Sequence, residues 1–350
     1  MEFLLGYSLF LAKAVTLTTT IVILIMFVRS VSNRTSKAEL EIVNLTEKYK
    51  DMVRQLEAQV HDEAYLKAQY KIDRKQEKAR VQCAEKIIKK KVRRGILEPD
   101  RRPHLFTLEF KGGVDAEEVF SLREEITAIL AIAKKGDEVF LKLETGGGAM
   151  HSYGLAASQL DRVKSSGLPL TISVDKVAAS GGYMMACVAD KIFSAPFAII
   201  GSIGVVVQLP NFNKLLKKHD IEYEQLTAGE FKRTLTIFGE NTDKAREKFS
   251  QELEDAHKLF KDFVRCRRPS LDIDSVATGE YWFGTQAKKL GLVDEIRTSD
   301  DVIIDACKEK TVLEVHYVQR KNLADKFSSL FGQVVKNLLN HSIWGQRLFM

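Results

Sequence analysis

Ser180 stands where a hydroxyl can act as a nucleophile. In the stretch SVDKVAASGGYMMACVADKIFSAP it is flanked by Ala178, Ala179, Gly181 and Gly182, residues small enough to let a second backbone or a substrate approach the hydroxyl. The helical run Tyr183 to Ala189 follows. Ser180 is therefore expected at the positive end of a helix with unpaired N–H donors after it, the layout that attack on a carbonyl and stabilisation of an oxyanion require. The competing reading is a plain helix cap, in which the hydroxyl only satisfies a free N–H. A serine nucleophile needs a base, and the chain offers seven histidines: His61, His104, His151, His219, His257, His316 and His341. His151 is the most tempting because it lies just past the glycine run Gly146-Gly147-Gly148, although an exposed place in the first turn of a helix explains it better. A lysine held neutral is the other option. The glycine run could cradle a phosphate, but neither a GxGxxG pattern nor a P-loop lysine accompanies it, so no nucleotide is implied.

The elements around these residues read as a parallel α/β layer. Leu105 to Phe110, Glu138 to Leu143 and Leu168 to Val174 are short apolar, β-prone runs that predict strands. A helix is predicted to start at Asp115, with Glu118 completing a capping box and Val114 as its hydrophobic staple, and a second helix from Met150 to Ser165. Alternating strands and helices predict a parallel sheet with its site at the carboxyl ends of the strands, where both the glycine run and Ser180 fall. Further on, Phe212 to His219 predicts a helix, Ile221 to Leu226 a strand and Asp243 to Arg265 a long helix. Ser194 to Leu209 is apolar enough to imitate a membrane span. Pro196, Gly201 and Gly204 interrupt it, so it is read as strand and turn buried in the domain.

Three stretches in order, VAASGGYMMACVAD, PFAIIGSIGVVVQ and AGEFKRTL, resemble the signal peptide peptidase A family of Ser/Lys serine peptidases, over roughly Leu105 to Ala306. The single N-terminal apolar run and the charged segment after it are similar to the inner-membrane peptidases of that family. The resemblance implies a ClpP/crotonase-like α/β fold and a serine endopeptidase with Ser180 as nucleophile and Lys232, 52 residues later, as general base. It implies an oxyanion site made by the N–H of Gly181 and the loop Gly147-Gly148. In the family this loop reads SPGG; here Thr145-Gly146-Gly147-Gly148 occupies it, with glycine in the proline's place, which makes it more pliable. Hydrophobic peptides such as signal-peptide remnants or misfolded proteins are the implied substrates, and homo-oligomeric rings the implied assembly, with no cofactor and no metal. Lys232 would have to be kept neutral by burial in a cleft between the Ser180 helix and the Gly201 to Val207 motif, with Ser202 and Thr234 as partners for its amine. Two further readings remain. A crotonase-type acyl-CoA enzyme shares the fold but calls for carboxylates at the loop ends, and a degenerate peptidase domain would serve as a membrane scaffold.

Composition sets the frame. The chain of 350 residues, 45% hydrophobic, is long enough to bury one core of about 200 residues with attachments. We expect a membrane anchor over 1–30, a charged helical stalk and linker over 31–103, the peptidase domain over 104–318 and an amphipathic helix over 319–350. Leu4 to Val28 carries one charge, Lys13, and is long enough to span a bilayer. Glu2 stands where a cleaved signal peptide would be basic, and no small-x-small site follows, so an uncleaved anchor in the bacterial inner membrane is expected. Arg29, Arg34 and Lys37 after the span favour a cytoplasmic domain, whereas the family resemblance places it in the periplasm; both orientations stay open. Ile42, Leu45, Tyr49, Met52 and Leu56 are spaced as two heptads of an a/d seam, too few to establish a coiled coil. Lys71 to Arg94 holds eleven basic residues against three acids. Anionic lipid is a fitting partner for this stretch and a solvated helix face explains it at least as well, whereas no aromatics are interleaved to stack bases, so nucleic acid is not expected. Cys83, Cys187, Cys266 and Cys307 form no CxxC pair, which leaves neither a zinc site nor a disulfide framework. Leu323 to Leu339 places apolar residues on one helical face, suited to a membrane or a subunit contact. A chain truncated to begin at Ser36 is expected in the soluble fraction or released by high salt; release by detergent alone would reveal a second span.

Overall fold

Leu105 to Leu108 and Val139 to Leu141 are consecutive buried residues, which is the signature of a parallel sheet covered on both faces. The computed structural model of the chain describes residues 10, 11, 13–20, 38–93 and 102–319. It divides into two compact units, Met1–Glu41 with Tyr317–Met350, and Ile42–His316. In the first unit residues 13–20 are helical, α1. The hydroxyls of Thr16, Thr19 and Thr20 bond to carbonyls three or four residues earlier, which satisfies them within the helix. Among the described residues no helix is long and apolar enough to cross a membrane. Most of the expected anchor, and all of the expected helix from Leu323 to Leu339, lie outside the described residues.

The second unit holds strands β2 (His104–Gly112), β3 (Glu138–Thr145), β4 (Leu170–Val174), β6 (Lys191–Ser194), β9 (Glu295–Ile296) and, as far as His316, β10 (Thr311–Gln319). Their order is β10-β2-β3-β4-β6-β9, with every pair parallel. Phe106, Leu108, Phe140, Leu141, Leu143 and Ile172 are all buried in this sheet. Helices α4 (Val119–Ile132) and α5 (Met150–Ser165) follow β2 and β3. Helix α5 has the expected bounds, whereas α4 starts later than expected. Asp115 and Ala116 form a turn with Ala116 at φ 48°, Glu118 makes no side-chain capping bond, and Val114 is 69% exposed, so neither the capping box nor the staple forms. The reason lies elsewhere in the chain: the Val114 carbonyl is taken by the Ala149 N–H at 2.8 Å, which ties the end of β2 to the glycine loop.

A second, smaller layer branches from the end of β3. Strand β5 (Val177–Ala179) pairs with β3 and with β7 (Ile199–Gly201), and β7 pairs antiparallel with β8 (Tyr281–Phe283). The apolar run after Ser194 thus supplies a buried strand, as expected, but only as far as Ile203. Beyond it the chain has no regular structure and Val206 is 78% exposed. Helix α7 (Asn213–Lys218) forms where expected, but Ile221 to Leu226 finds no neighbouring strand and remains irregular, with Leu226 92% exposed. Helix α8 (Asp243–Arg267) is started by Thr242, whose hydroxyl accepts from the Ala245 N–H. Short helices α9 (Ile273–Val276) and α10 (Gly284–Lys289), then α11 (Ser299–Glu309), complete the unit.

The charged segment is not one stalk helix. It opens with strand β1 (Ala38–Asn44), then helix α2 (Leu45–Val60), and after a break at His61 and Asp62 helix α3 (Glu63–Arg93). Asn44 ends the strand and caps α2 by accepting from the Glu47 N–H at 3.2 Å. The heptad seam therefore does not form: Ile42 lies on a strand, and Met52 and Leu56 are exposed. Leu45 instead packs with Leu105, Phe140, Ile303 and Val312, and the Thr46 hydroxyl accepts from the buried Val312 N–H at 2.9 Å.

One ion pair closes the far side of the sheet. Asp294 accepts from the Ile192 N–H at 2.7 Å and from both terminal nitrogens of Arg268 at 2.7 and 2.9 Å. Burial alone would raise the Asp294 carboxyl, but the Arg268 bonds and the Ile192 N–H outweigh it and hold it below the ordinary carboxylate value. A depressed folded value stabilises the fold above the unfolded value of about 3.9, and that contribution is lost as pH falls through the folded value. Asp294→Asn is expected to lower stability at pH 7 by about 1–2 kcal/mol, a figure reduced for the part of the side chain left in water. Urea midpoints measured from pH 7 downward should show the gap to wild type closing in acid.

Candidate functional site

The site is set by where β3 and β5 stop. Thr145, the last residue of β3, is paired in register with Ala178 of β5, so the residues that follow each strand, Gly146 to Gly148 and Ser180, leave the sheet side by side. The approach leaves no room for side chains. A Cβ on Gly147, whose φ is 85°, would lie 2.6 Å from the Ala179 carbonyl and 2.8 Å from the Gly181 nitrogen. One on Gly148 would collide with the Val114 backbone. The loop that reads as pliable in sequence is thus fixed by packing.

Ser180 occupies a strained turn between β5 and helix α6 (Gly181–Ala186), with φ 52° and ψ −118°. A non-glycine residue in such a region costs on the order of 1–3 kcal/mol, so neighbouring bonds must impose it. Its N–H donates to the Gly201 carbonyl at 2.8 Å, and its carbonyl accepts from the Met184 N–H at 3.0 Å. Its hydroxyl makes no capping bond. The plain helix-cap reading therefore fails, and the hydroxyl belongs to a cleft of about 920 Å³ lined by Ser180, Gly181, the glycine loop, Met184, Val205 to Val207 and one face of α8. That volume suits a peptide segment or a medium-sized ligand.

Beneath the loop lies a buried polar cluster that sequence reading missed. The Gly147 N–H donates to the Thr145 hydroxyl at 3.1 Å, and that hydroxyl bonds the Gly112 carbonyl at 2.9 Å and the Tyr153 hydroxyl. Tyr153, on α5, also bonds the Gly113 carbonyl at 2.7 Å. It is fully buried, and burial pushes its phenol up, with the Thr145 bond acting in the opposite direction. Its ring lies against Gly181, where any Cβ would collide with it. A lone tyrosine inside an ordinary helical pattern carries no signal of this role.

Of the residues singled out from sequence, Ser180, Gly147, Gly148 and Gly181 all line the cleft. Lys232 does not: it is exposed, in a turn closed by its N–H to the Gly229 carbonyl at 3.2 Å. The expected burial of Lys232 between the Ser180 helix and the Gly201 to Val207 motif is thus absent from a single chain. Ser202 lines the cleft, while His151 is exposed and outside it. A different histidine, His257, does line it, with its Nε2 buried and without a hydrogen-bond partner. It shares the cleft-facing side of α8 with Ser250, Leu253, Glu254 and Phe260. That spacing of three and four was the available signal. Cys187, directly after α6, is fully buried, and desolvation pushes its thiol up to about 12, against a weaker pull from Arg267.

The model of peptidase family S49 matches residues 162–313, and that of its N-terminal region matches residues 2–160. A "Probable protease SohB" of Haemophilus influenzae is 50% identical over 342 residues, covering 97% of this chain and 96% of the relative. Relatives of the same description from Buchnera aphidicola are 48% identical, covering 97% of both chains (subspecies Schizaphis graminum), and 58% identical, covering 67% of this chain and 70% of the relative (subspecies Acyrthosiphon pisum).

The strain at position 180 yields a test that needs no substrate. Ser180→Gly relieves the positive φ, whereas Ser180→Ala retains it. The glycine variant is therefore expected to be the more stable by about 1 kcal/mol in denaturant unfolding, and equal midpoints would show that the turn is not strained.

Proposed function

This chain belongs to peptidase family S49, and from that membership we propose that it is a membrane-anchored serine endopeptidase using Ser180 and Lys232 as a dyad. The observation that carries the reading is the strained, uncapped Ser180 facing the cleft beside two glycine backbones. The Ser180 oxygen attacks the scissile carbonyl while its proton passes to the Lys232 amine. The oxyanion is held by the N–H of Gly181 and by the loop, where Gly148 offers its amide because that of Gly147 is engaged by Thr145. The lysine then protonates the leaving amine, and water drawn to the same base releases the acyl group and restores Ser180.

A lysine works as a base only when burial keeps it neutral, so Lys232 has to be covered. We assign the cover to a second copy of the chain in a ring. The segment around Lys232 supports this, since Val206, Phe212, Leu215, Ile221, Leu226 and Phe231 are all exposed. The apolar cleft wall of Met184, Val205 and Leu253 suits hydrophobic peptides such as signal-peptide remnants or segments of misfolded proteins. Residues 4–28 anchor the chain in the bacterial inner membrane in this reading.

Ser180→Ala is expected to abolish turnover of a fluorogenic hydrophobic peptide while the protein stays folded. Lys232→Arg should be inactive as well, because guanidinium holds its proton. Mixing Ser180→Ala with Lys232→Met during assembly should restore about a quarter of the sites if serine and lysine come from adjacent copies. Turnover by Ser180→Ala above background would sink the nucleophile; an inactive mixture would sink the shared site alone.

A further inference from the structure

The geometry points to Tyr153 and Thr145 as a positioning pair that sets the oxyanion loop against the nucleophile. The inference rests on the Ser180 reading above and concerns residues that touch neither substrate nor the reacting atoms. Tyr153 reaches both halves of the oxyanion site. Its ring is packed against Gly181, the residue after the nucleophile, so it fixes the first turn of α6 from below. Its hydroxyl joins Thr145, whose own oxygen accepts the Gly147 N–H at 3.1 Å. One rigid aromatic thus spans from one oxyanion donor to the loop that bears the other.

The hydrogen-bond count makes this arrangement selective. Two hydroxyl protons face three acceptors: the Gly112 carbonyl, the Gly113 carbonyl and whichever hydroxyl oxygen receives the shared bond. Thr145 and Tyr153 are buried, so no partner outside the cluster can replace one that moves away. Two protons fill two of these three bonds at a time, and they do so only while Gly112-Gly113, at the end of β2, and Gly147, in the loop, keep their present spacing. Engaging the Gly147 N–H occupies that donor, so the loop amide assigned to the substrate carbonyl is the next one, at Gly148. The pair therefore selects which loop amide serves, a role that the threonine in place of the family's serine can still fill through its hydroxyl.

A merely structural role would cost stability and leave turnover per folded molecule unchanged, so the experiment separates the two. Full-length protein is compared as wild type, Ser180→Ala, Tyr153→Phe, Thr145→Val and Thr145→Ser, on one fluorogenic peptide. Concentrations are corrected for the folded fraction. Tyr153→Phe keeps the ring against Gly181 and removes only the hydroxyl. It is expected to lower kcat at least about tenfold with KM within about twofold of wild type, because an oxyanion donor acts on the transition state and not on substrate binding. Thr145→Val should do the same, and Thr145→Ser, which keeps the oxygen, should recover most of the kcat. Wild-type kcat in Tyr153→Phe and Thr145→Val, or equal losses in Thr145→Ser and Thr145→Val, would overturn the inference. So would a loss carried by KM. If Tyr153→Phe or Thr145→Val fails to fold, Thr145→Ser decides the matter alone: retained kcat with retained stability supports the pair, and a loss of kcat overturns it. If Ser180→Ala cleaves as fast as wild type, the nucleophile assignment falls and this inference falls with it. An inactive Ser180→Ala beside an unimpaired Tyr153→Phe removes the inference only.

Discussion

The close approach of two backbones, at Gly147 and at Ser180-Gly181, is the constraint on which the rest of this structure turns. It exists because β3 is long enough to pair with β4 along its first half and with β5 at its last residue. The switch of partner splits the sheet into two layers. A strand that ended two residues earlier would leave Ser180 and the glycine loop without a common frame. The small residues around Ser180 are then a geometric necessity: each of Gly147, Gly148, Gly181 and Gly182 faces an atom that a methyl group would strike. Site chemistry and sheet topology are two views of the same contact.

Strain and burial divide the work around that contact. Ser180 is held in a turn that serine does not prefer by bonds to Gly201 and Met184. The floor beneath it is in contrast packed and bonded: Tyr183 of α6 is buried and donates to the Leu292 carbonyl at 3.0 Å. Burial raises its phenol well above the usual range, so it acts there as a hydrogen-bond donor and not as an acid. A rigid floor under a strained residue is how a fold retains such a turn without spreading the distortion.

How much of this is legible in the sequence depends on the range over which each feature is decided. Strand and helix types were readable from hydrophobic period, and α5 was read to the residue, because its pattern is local. The position of Ser180, the nucleophile of the proposed function, was readable because small residues around a serine are unusual enough to be noticed. The beginning of α4 was misplaced because the Val114 carbonyl is claimed by Ala149, a partner 35 positions away. The heptad spacing from Ile42 to Leu56, too short to establish a coiled coil, crosses a change of element at Asn44, where the side chain caps α2 by accepting from the Glu47 N–H. Tyr153 and Thr145 were missed since their role exists only once β2, β3 and α5 meet. Lys232 was recognisable from family resemblance alone; its surroundings within one chain do not identify it.

The thiol of Cys187 has a consequence of another kind. It sits within a few residues of Ser180, yet it is sealed from solvent and its proton is held tightly. A thiol reacts as thiolate and only where reagent can reach it. Alkylating reagents and oxidants should therefore pass over this position while α6 is folded, so the serine site needs no protection from the redox state of its compartment. The rate at which Cys187 does become modified is a clock for the opening of the helix that follows Ser180, readable in the intact protein without any substrate.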